Sequence, residues 1–417
     1  MNAKLKSNHT LRFTTFLLVT EGGINIDSFK NRVRYNVIFN TIANCDKHFE
    51  WLKSQHNRII GKSTQSILSV KDKNYVNEFS IDNVRGYTGF FTHDFANNLL
   101  KRDDVDIVEE DSIVHINHVV PRKIQNNVIS SLDRIDQANS VLDEKYSFPD
   151  SAGEGVNVFI VDTGIRKDHI EFEGRATSGG TFCDKCKGDD DLNGHGTNVA
   201  GIVGGKTFGV AKKVTLIAVK ALNDSGQASN SEIVNALTFV LKTHKKSKNK
   251  NSVVNMSLGG TKSRIINKTV KKLTDAGIHV VVAAGNEADD ACKSSPSSEP
   301  SAITVGAIII DRRDTKKNQI ALFSNFGKCV DVFAPGFFIA AAGSISKSDI
   351  SAFTGTSQAS PHVAGAIALI IAKDGNKSAK KMATTLKDLS IKNAIDFLGN
   401  KTIAKGTPNN LLRVPAP

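Results

Sequence analysis

The chain has 417 residues, 40% hydrophobic and 23% charged, with a formal net charge of +12 and a pI near 9.3. This is ordinary globular composition, with room for two or three domains, one of them burying a large core. No run of 18 apolar residues occurs, which excludes a membrane-spanning helix, and the charge sits on no recognisable nucleic-acid motif.

Residues 1–20 combine a basic start (Lys4, Lys6, Arg12) with the short apolar stretch from Phe13 to Val19. They read as a signal peptide without an Ala-x-Ala cleavage site, and point to secretion. Residues 33–40 predict a strand, 46–60 an amphipathic helix, 76–91 a strand and a bend, 93–101 a helix and 105–116 further strand. This β-α-β-β-α-β order describes a small α+β sandwich of ferredoxin-like type over residues 30–118. The pattern breaks over 119–131, where Pro121, basic residues and polar residues predict a linker open to proteolysis.

Residues 132–417 belong to another class. Short continuous apolar runs at 156–161, 214–219, 253–258, 278–284, 303–309 and 329–333 alternate with helical stretches at 195–203, 229–243 and 264–276. That alternation predicts α/β architecture, a doubly wound and mostly parallel sheet covered on both faces. Ser229 and Glu232 are spaced as a capping box. The lysine-rich run 242–250 reads as a solvated loop. Near the end, a small-residue turn at Gly355-Thr356-Ser357 opens a helix, and Pro361 supports placing Ser357 at its beginning.

Four features fall at turns next to these elements. Asp162 ends the first apolar run. His195 stands between Gly194 and Gly196 at a helix start. Asn286 follows Gly285 just past a strand. Ser357 opens the late helix. Each alone reads as a turn or capping residue. Together they supply one chemistry. A serine hydroxyl is a poor nucleophile and needs a base; an imidazole can take its proton and return it to the leaving group. A carboxylate fixes the imidazole's tautomer, and an amide N–H stabilises an oxyanion. The acidic run Asp189-Asp190-Asp191 reads as a solvated loop or as a preference for basic substrate residues.

In this order the chain resembles the subtilisin-like serine proteases, closest to the proteinase K and fungal vacuolar or cuticle-degrading branch. The motifs are Asp162-Thr163-Gly164, Gly194-His195-Gly196-Thr197, Asn255-Met256-Ser257-Leu258-Gly259-Gly260, Ala284-Gly285-Asn286, Phe323-Ser324-Asn325-Phe326-Gly327 and Gly355-Thr356-Ser357. Gly86-Tyr87-Thr88-Gly89-Phe90-Phe91 and Val108-Glu109-Glu110-Asp111 resemble the family's inhibitory propeptide. The resemblance implies a serine endopeptidase made as a zymogen, with Asp162, His195 and Ser357 as triad and Asn286 in the oxyanion hole. It implies that Ser257, Leu258 and Gly259 pair with an extended polypeptide substrate, that Gly226 flanks the other side, and that Ala283, Ala284 and Gly285 wall a roomy, apolar-tolerant pocket. Glu287 beside that pocket is charged where many relatives are not.

The resemblance further implies a monomer that requires no cofactor, inhibited by its own propeptide, in the secretory or vacuolar pathway. It implies a Cys292–Cys329 disulfide, which leaves Cys183 and Cys186 for a local disulfide rather than a zinc half-site. A structural calcium at Pro300, Ala302 and Asp331 is a candidate from the same source. Two positions depart from the family: Gln358 replaces a methionine after the serine, and Asn198 replaces a second histidine. Two rival readings remain, a groove that binds peptides without cutting them and a basic protein whose charge is its function.

Overall fold

The computed structural model describes residues 33–40, 44–60, 76–82, 84–116, 119–122, 129–138, 141–186, 188–310 and 318–415. The signal-peptide reading of residues 1–20 lies outside these. The N-terminal unit consists of β1 (Val33–Phe39), α1 (Cys45–Ile60), β2 (Val76–Ile81), β3 (Val84–Phe91), α2 (His93–Leu100) and β4 (Val105–Glu110). Its antiparallel sheet runs β2-β3-β1-β4. Strand side chains alternate between faces, and both faces of this sheet are used. Tyr35, Val37 and Phe39 pack with Leu52, Tyr87, Phe91 and Leu99 beneath the helices. Ile38, Phe79, Ile81 and Ile107 face the other way and join a core shared with the second unit.

Two short strands and a helix follow β4. β5 (Ile113–Ile116) and β6 (Val119–Arg122) are paired strands, and α3 (Ser130–Asp136) follows. Pro121 is tolerated in β6 because among the described residues that strand is paired along one edge, to the strand Ile350–Thr354.

The second unit begins with β7 (Asn157–Asp162), β8 (Ala176–Thr181), α4 (His195–Gly204), β9 (Thr215–Lys220), β10 (Gln227–Ser229) and α5 (Asn230–Lys246). It continues through β11 (Ser252–Met256), β12 (Leu258–Thr261), α6 (Arg264–Asp275), β13 (His279–Ala283), β14 (Ser294–Ser295), β15 (Ile303–Ile309) and β16 (Asn318–Ile320). It ends with β17 (Val332–Pro335), β18 (Ile339–Ala342), β19 (Ile350–Thr354), α7 (Thr356–Asp374), α8 (Ala379–Leu389) and short terminal strands. The parallel core runs β17-β15-β13-β11-β7-β9-β8. From β7 the chain winds outward in both directions, so the topological switch lies at β7 and β11, where open α/β sheets place their sites.

One apolar layer holds α4 and α7 against the sheet, and the opposite layer holds α5 and α6. β8 has the sequence ATSGGT, Gly-rich and without the apolar alternation that predicts a strand, and lies at the sheet edge. The strand expected at 329–333 begins at Val332. Cys329 and Val330 belong to a turn closed by the Val330 N–H on the Gly327 carbonyl at 3.1 Å.

His48 is buried inside the N-terminal unit, with Nδ1 3.1 Å from Asp104 Oδ2 and Nε2 3.0 Å from the Tyr87 hydroxyl. Burial lowers its pKa from the ordinary 6.5, more than the Asp104 carboxylate raises it, and Arg102 lowers it further. A folded pKa below the unfolded one means that this contribution to stability is complete above pH 6.5 and is lost as pH falls below it. The chain's single tryptophan, Trp51, lies 5.7 Å from the His48 ring and reports on this unit alone. In a Ser357→Ala chain, the Tm followed by Trp51 fluorescence should fall between pH 7 and 5. His48→Gln should flatten that dependence; an unchanged slope would remove His48 as its source.

Candidate active site

Asp162 is the last residue of the central strand β7 and is completely buried. Its Oδ1 accepts the Thr163 N–H at 2.8 Å and faces His195 Nδ1 at 2.8 Å. A carboxylate only accepts, so Nδ1 carries the proton and Nε2 is left as the basic nitrogen. His195 opens α4, is also completely buried, and meets Phe353 edge-on at 6.0 Å. Its glycine neighbour is required by space. A Cβ on Gly196 would stand 2.2 Å from the Gly164 carbonyl and 3.2 Å from the Asp162 side chain.

The start of α4 is fixed by Asp191. Its Oδ1 accepts from the Thr163 hydroxyl at 2.8 Å and the Gly194 N–H at 2.8 Å, and its Oδ2 from the Thr197 N–H at 2.8 Å and hydroxyl at 2.6 Å. Thr163 Oγ1 in turn accepts the Gly196 N–H at 2.9 Å. This carboxylate at a helix N-terminus is a cap. Asp191 is therefore no part of a solvated acidic loop, although its neighbour Asp190 is exposed and Asp189 pairs with Lys167 at 2.7 Å. The signal was present in the sequence: an acidic residue a few positions ahead of a helix start.

Ser357 is the second residue of α7. Pro361, on the following turn, has no N–H for the Ser357 carbonyl. The Ser257 hydroxyl takes that carbonyl instead at 2.8 Å, and the Ser357 hydroxyl donates to the Ser257 carbonyl at 3.1 Å. Proline within α7 thus lies deeper than the first helical position, with its missing bond replaced from the β11–β12 turn. Asn255 Nδ2 donates to Ser257 Oγ at 2.8 Å and holds that hydroxyl in place.

Asn286 follows β13. Its Oδ1 accepts both the Thr356 N–H and the Thr356 hydroxyl at 2.9 Å. The orientation of the amide is thereby set, and its Nδ2 is buried with no hydrogen-bond partner among the described residues. A buried, unused donor costs about 1–3 kcal/mol, and this one lies beside the N-terminus of α7. Asn325 braces the same loop. Its Nδ2 donates to the Ala284 carbonyl at 3.0 Å and to Glu287 at 2.7 Å, and its Oδ1 accepts from the Glu287 and Asp289 N–H groups. Glu287 is therefore tied back into its own loop. Ala283 and Ala284 are buried at the end of β13, and Gly285 adopts a φ of 108° in contact with Asn325.

An extended groove beside these groups is filled by the chain itself. β5 lies antiparallel between β10 and β12, with Ile116 opposite Leu258, His115 opposite Gly259 and Gln227, and Val114 opposite Ala228. Gly226 turns the adjoining loop with a φ of 74°. The chain then resumes in β6, where Val119 pairs with Thr354, three residues before Ser357. Two carboxylates ahead of β5 fix its approach. Asp111 accepts from the Ser231 N–H and hydroxyl at the start of α5, and Glu109 from the Ser263 hydroxyl and the Arg264 and Ile265 N–H groups at the start of α6. Both sit at the positive ends of helices.

Gln358 and Asn198 face each other. Both are completely buried, with Gln358 Nε2 3.5 Å from Asn198 Oδ1, while Asn198 Nδ2 donates to the Ser351 carbonyl at 2.9 Å. The two departures from the family thus adjoin, one on each of the helices that carry His195 and Ser357. Burial pushes His362, also on α7, down to about 4, so it stays neutral.

Cys183 is joined to Cys186 and Cys292 to Cys329, leaving Cys45 free. Pro300, Ala302 and Asp331 do not fit a calcium ion. The single carboxylate of the set has Oδ1 on the Lys387 ammonium at 2.7 Å and Oδ2 on the Thr304 N–H at 2.9 Å. A hard cation requires free oxygen ligands, and here a lysine already neutralises the only charged one. The Tm of the Ser357→Ala chain should accordingly be the same in calcium and in chelator, whereas Lys387→Met should create a calcium-dependent shift. A calcium response in the parent chain would show that Lys387 yields the site.

Comparison with known proteins gives concordant matches. Residues 153–413 match the Subtilase family and residues 34–117 match Peptidase inhibitor I9. The subtilisin-like serine protease Cur l 4.0101 of Cochliobolus lunatus is 36% identical over 404 residues, covering 92% of this chain and 77% of that protein. Alkaline protease 2 of Aspergillus fumigatus is 35% identical over 404 residues, covering 90% and 80%. Among solved structures, a cold adapted subtilisin-like serine proteinase is 36% identical with a TM-score of 0.63, covering 70% of this chain and 100% of its own.

Proposed function

This chain belongs to the subtilase family, and on that premise we propose that Asp162, His195 and Ser357 form its triad and that Asn286 donates to the oxyanion. It is a subtilisin-like serine endopeptidase carrying an I9 inhibitor propeptide. The observation that carries the residue assignment is the path of β5. The chain's own strand is paired on both sides in the groove, runs toward the N-terminus of α7, and leaves along β19. A polypeptide bound in this way brings its backbone past Ser357, as β-strand addition would present any substrate.

In the catalytic cycle Ser357 Oγ turns from the Ser257 carbonyl toward His195 Nε2. The imidazole takes the hydroxyl proton while Oγ attacks the substrate carbonyl carbon. The Asp162 carboxylate stabilises the imidazolium through Nδ1. The tetrahedral oxyanion receives hydrogen bonds from Asn286 Nδ2 and from the Ser357 N–H, one of the groups that a helix start leaves outside its own ladder. His195 returns the proton to the departing amine. Water, deprotonated by the same nitrogen, then hydrolyses the acyl-enzyme.

We assign residues 30–118 to the propeptide and 132–417 to the catalytic domain. The first cleavage falls within residues 116–119, at the N-terminal edge of the 119–131 linker. Substrates are polypeptides of broad sequence, accepted by a pocket walled by Ala283, Ala284 and Gly285. The enzyme works as a monomer in the secretory or vacuolar pathway, a setting that suits its two disulfides.

Wild-type chain should shorten on incubation and react with a fluorophosphonate, while Ser357→Ala remains whole and unlabelled. Sequencing the mature N-terminus should read Asn117, His118 or Val119; a start elsewhere contradicts the threading of β5. Loss of one oxyanion donor lowers turnover about 10²–10³-fold in subtilisin, the reference case for this effect. Asn286→Ala should show a comparable fall in kcat with little change in KM, measured on a chromogenic peptide.

A further inference from the structure

Part of the chain's positive charge gathers on one face. Two lysine-rich segments far apart in sequence, 242–250 and 373–381, together carry nine lysines and one aspartate. The fold joins them. Asn376 Nδ2 donates to the Lys250 carbonyl at 2.9 Å, and its Oδ1 lies 2.7 Å from His279 Nε2. Between the segments lies an open depression of about 570 Å³ lined by Lys245, Lys250, Lys377 and Ser378 among others. Eight of the nine lysines are exposed. Among the nine, Lys377 pairs with Asp374 at 3.6 Å and Lys245 with Asp82 of the propeptide at 3.1 Å. Cleavage of the propeptide therefore adds a lysine to this face.

Two features distinguish this face from ordinary solvation. Lys380 and Lys381 occupy the first turn of α8, which has no acidic residue. Cations at the positive end of a helix are unfavourable, so the charge is kept against local helix stability. The face is also remote from the chemistry. It borders the start of β11 and β13 and the end of α5, whereas Asp162, Ser257 and Asn286 lie past the opposite ends of the strands. Five residues of strand separate the two edges, roughly 17 Å, beyond the ~10 Å screening length at 0.1 M salt.

We propose that this lysine face is a docking surface for an anionic polysaccharide, which holds the enzyme with its active site directed away from the polymer. Lysine without arginine or aromatic residues in both segments supplies point charges rather than the forks and stacking surfaces that read nucleic acid. Neither segment exposes a large apolar side chain for insertion into a bilayer. The two disulfides belong to an oxidising compartment, where carboxylated and sulfated glycans are available polymeric anions.

The test uses the full-length Ser357→Ala chain, which does not digest itself, and measures binding to polygalacturonate and to dextran sulfate over a salt series. Both polymers should bind, with affinity falling steeply with salt, and the stronger ligand identifies carboxylate or sulfate as the preferred group. Changing Lys246, Lys248, Lys380 and Lys381 together to Gln should weaken binding at least about tenfold and flatten the salt dependence. The same four changes in the active enzyme should leave hydrolysis of a small chromogenic peptide unchanged, and circular dichroism should report an intact fold. A control with Lys328, Lys347, Lys401 and Lys405 changed to Gln should bind as the parent does. Equal weakening by the control would overturn the proposal in favour of total charge. Absence of polymer binding, or tighter binding to duplex DNA or anionic vesicles, would overturn it as well.

Discussion

The candidate active site depends on how the first turn of α7 is anchored to the loops beyond the sheet. A helix that opens with Thr356-Ser357 and carries Pro361 has one carbonyl that its own ladder does not satisfy. Ser257, at the end of β11, supplies the missing donor, and Ser357 returns a hydrogen bond to the same turn. Thr356 simultaneously clamps Asn286 at the end of β13. Three elements are thus held by backbone and side-chain hydrogen bonds about one helix end. The groups that would attack and the group that would receive negative charge are held by these same contacts.

The Asp162–His195 side is built in a corresponding way. β7 delivers Asp162 at the sheet's topological switch, α4 delivers His195, and Asp191 locks the two together through Thr163 and Thr197. Asp162 and His195 are both wholly buried, so their hydrogen bond operates in a medium where it is stronger than in water. The packing of α4 on α7 against one face of the sheet brings the helix that carries His195 against the helix that carries Ser357. Gln358 and Asn198 adjoin within that packing. A change at one position therefore alters the environment of the other.

The parallel sheet was legible because its strands are continuous apolar runs, and the residues at their ends were legible because glycine marks the close approaches. Gly196 illustrates this, since a side chain there would collide with the Gly164 carbonyl. The supporting shell was less legible. Asn325 and Thr356 act through partners tens of residues away, Asp191 reaches back to Thr163 as well as to its own helix start, and each alone resembles a turn or cap residue. β8 lacked a signal because a short Gly-rich edge strand needs neither alternation nor bulk. The calcium set matched in residue type but not in surroundings, because Lys387 reaches Asp331 from another helix. The lysine run at 242–250 read as solvated loop until the fold brought residues 373–381 beside it.

The most direct measurement is a crystal structure of the processed enzyme inhibited by a peptidyl phosphonate. The account predicts a covalent bond from Ser357 Oγ to phosphorus, the inhibitor paired with Leu258 and Gly259 where β5 lies, and a phosphoryl oxygen about 2.7–3.1 Å from Asn286 Nδ2. Asn286 Oδ1 should still be held by Thr356. Modification of another residue, or an Asn286 amide turned so that Oδ1 faces the phosphoryl oxygen, would contradict it.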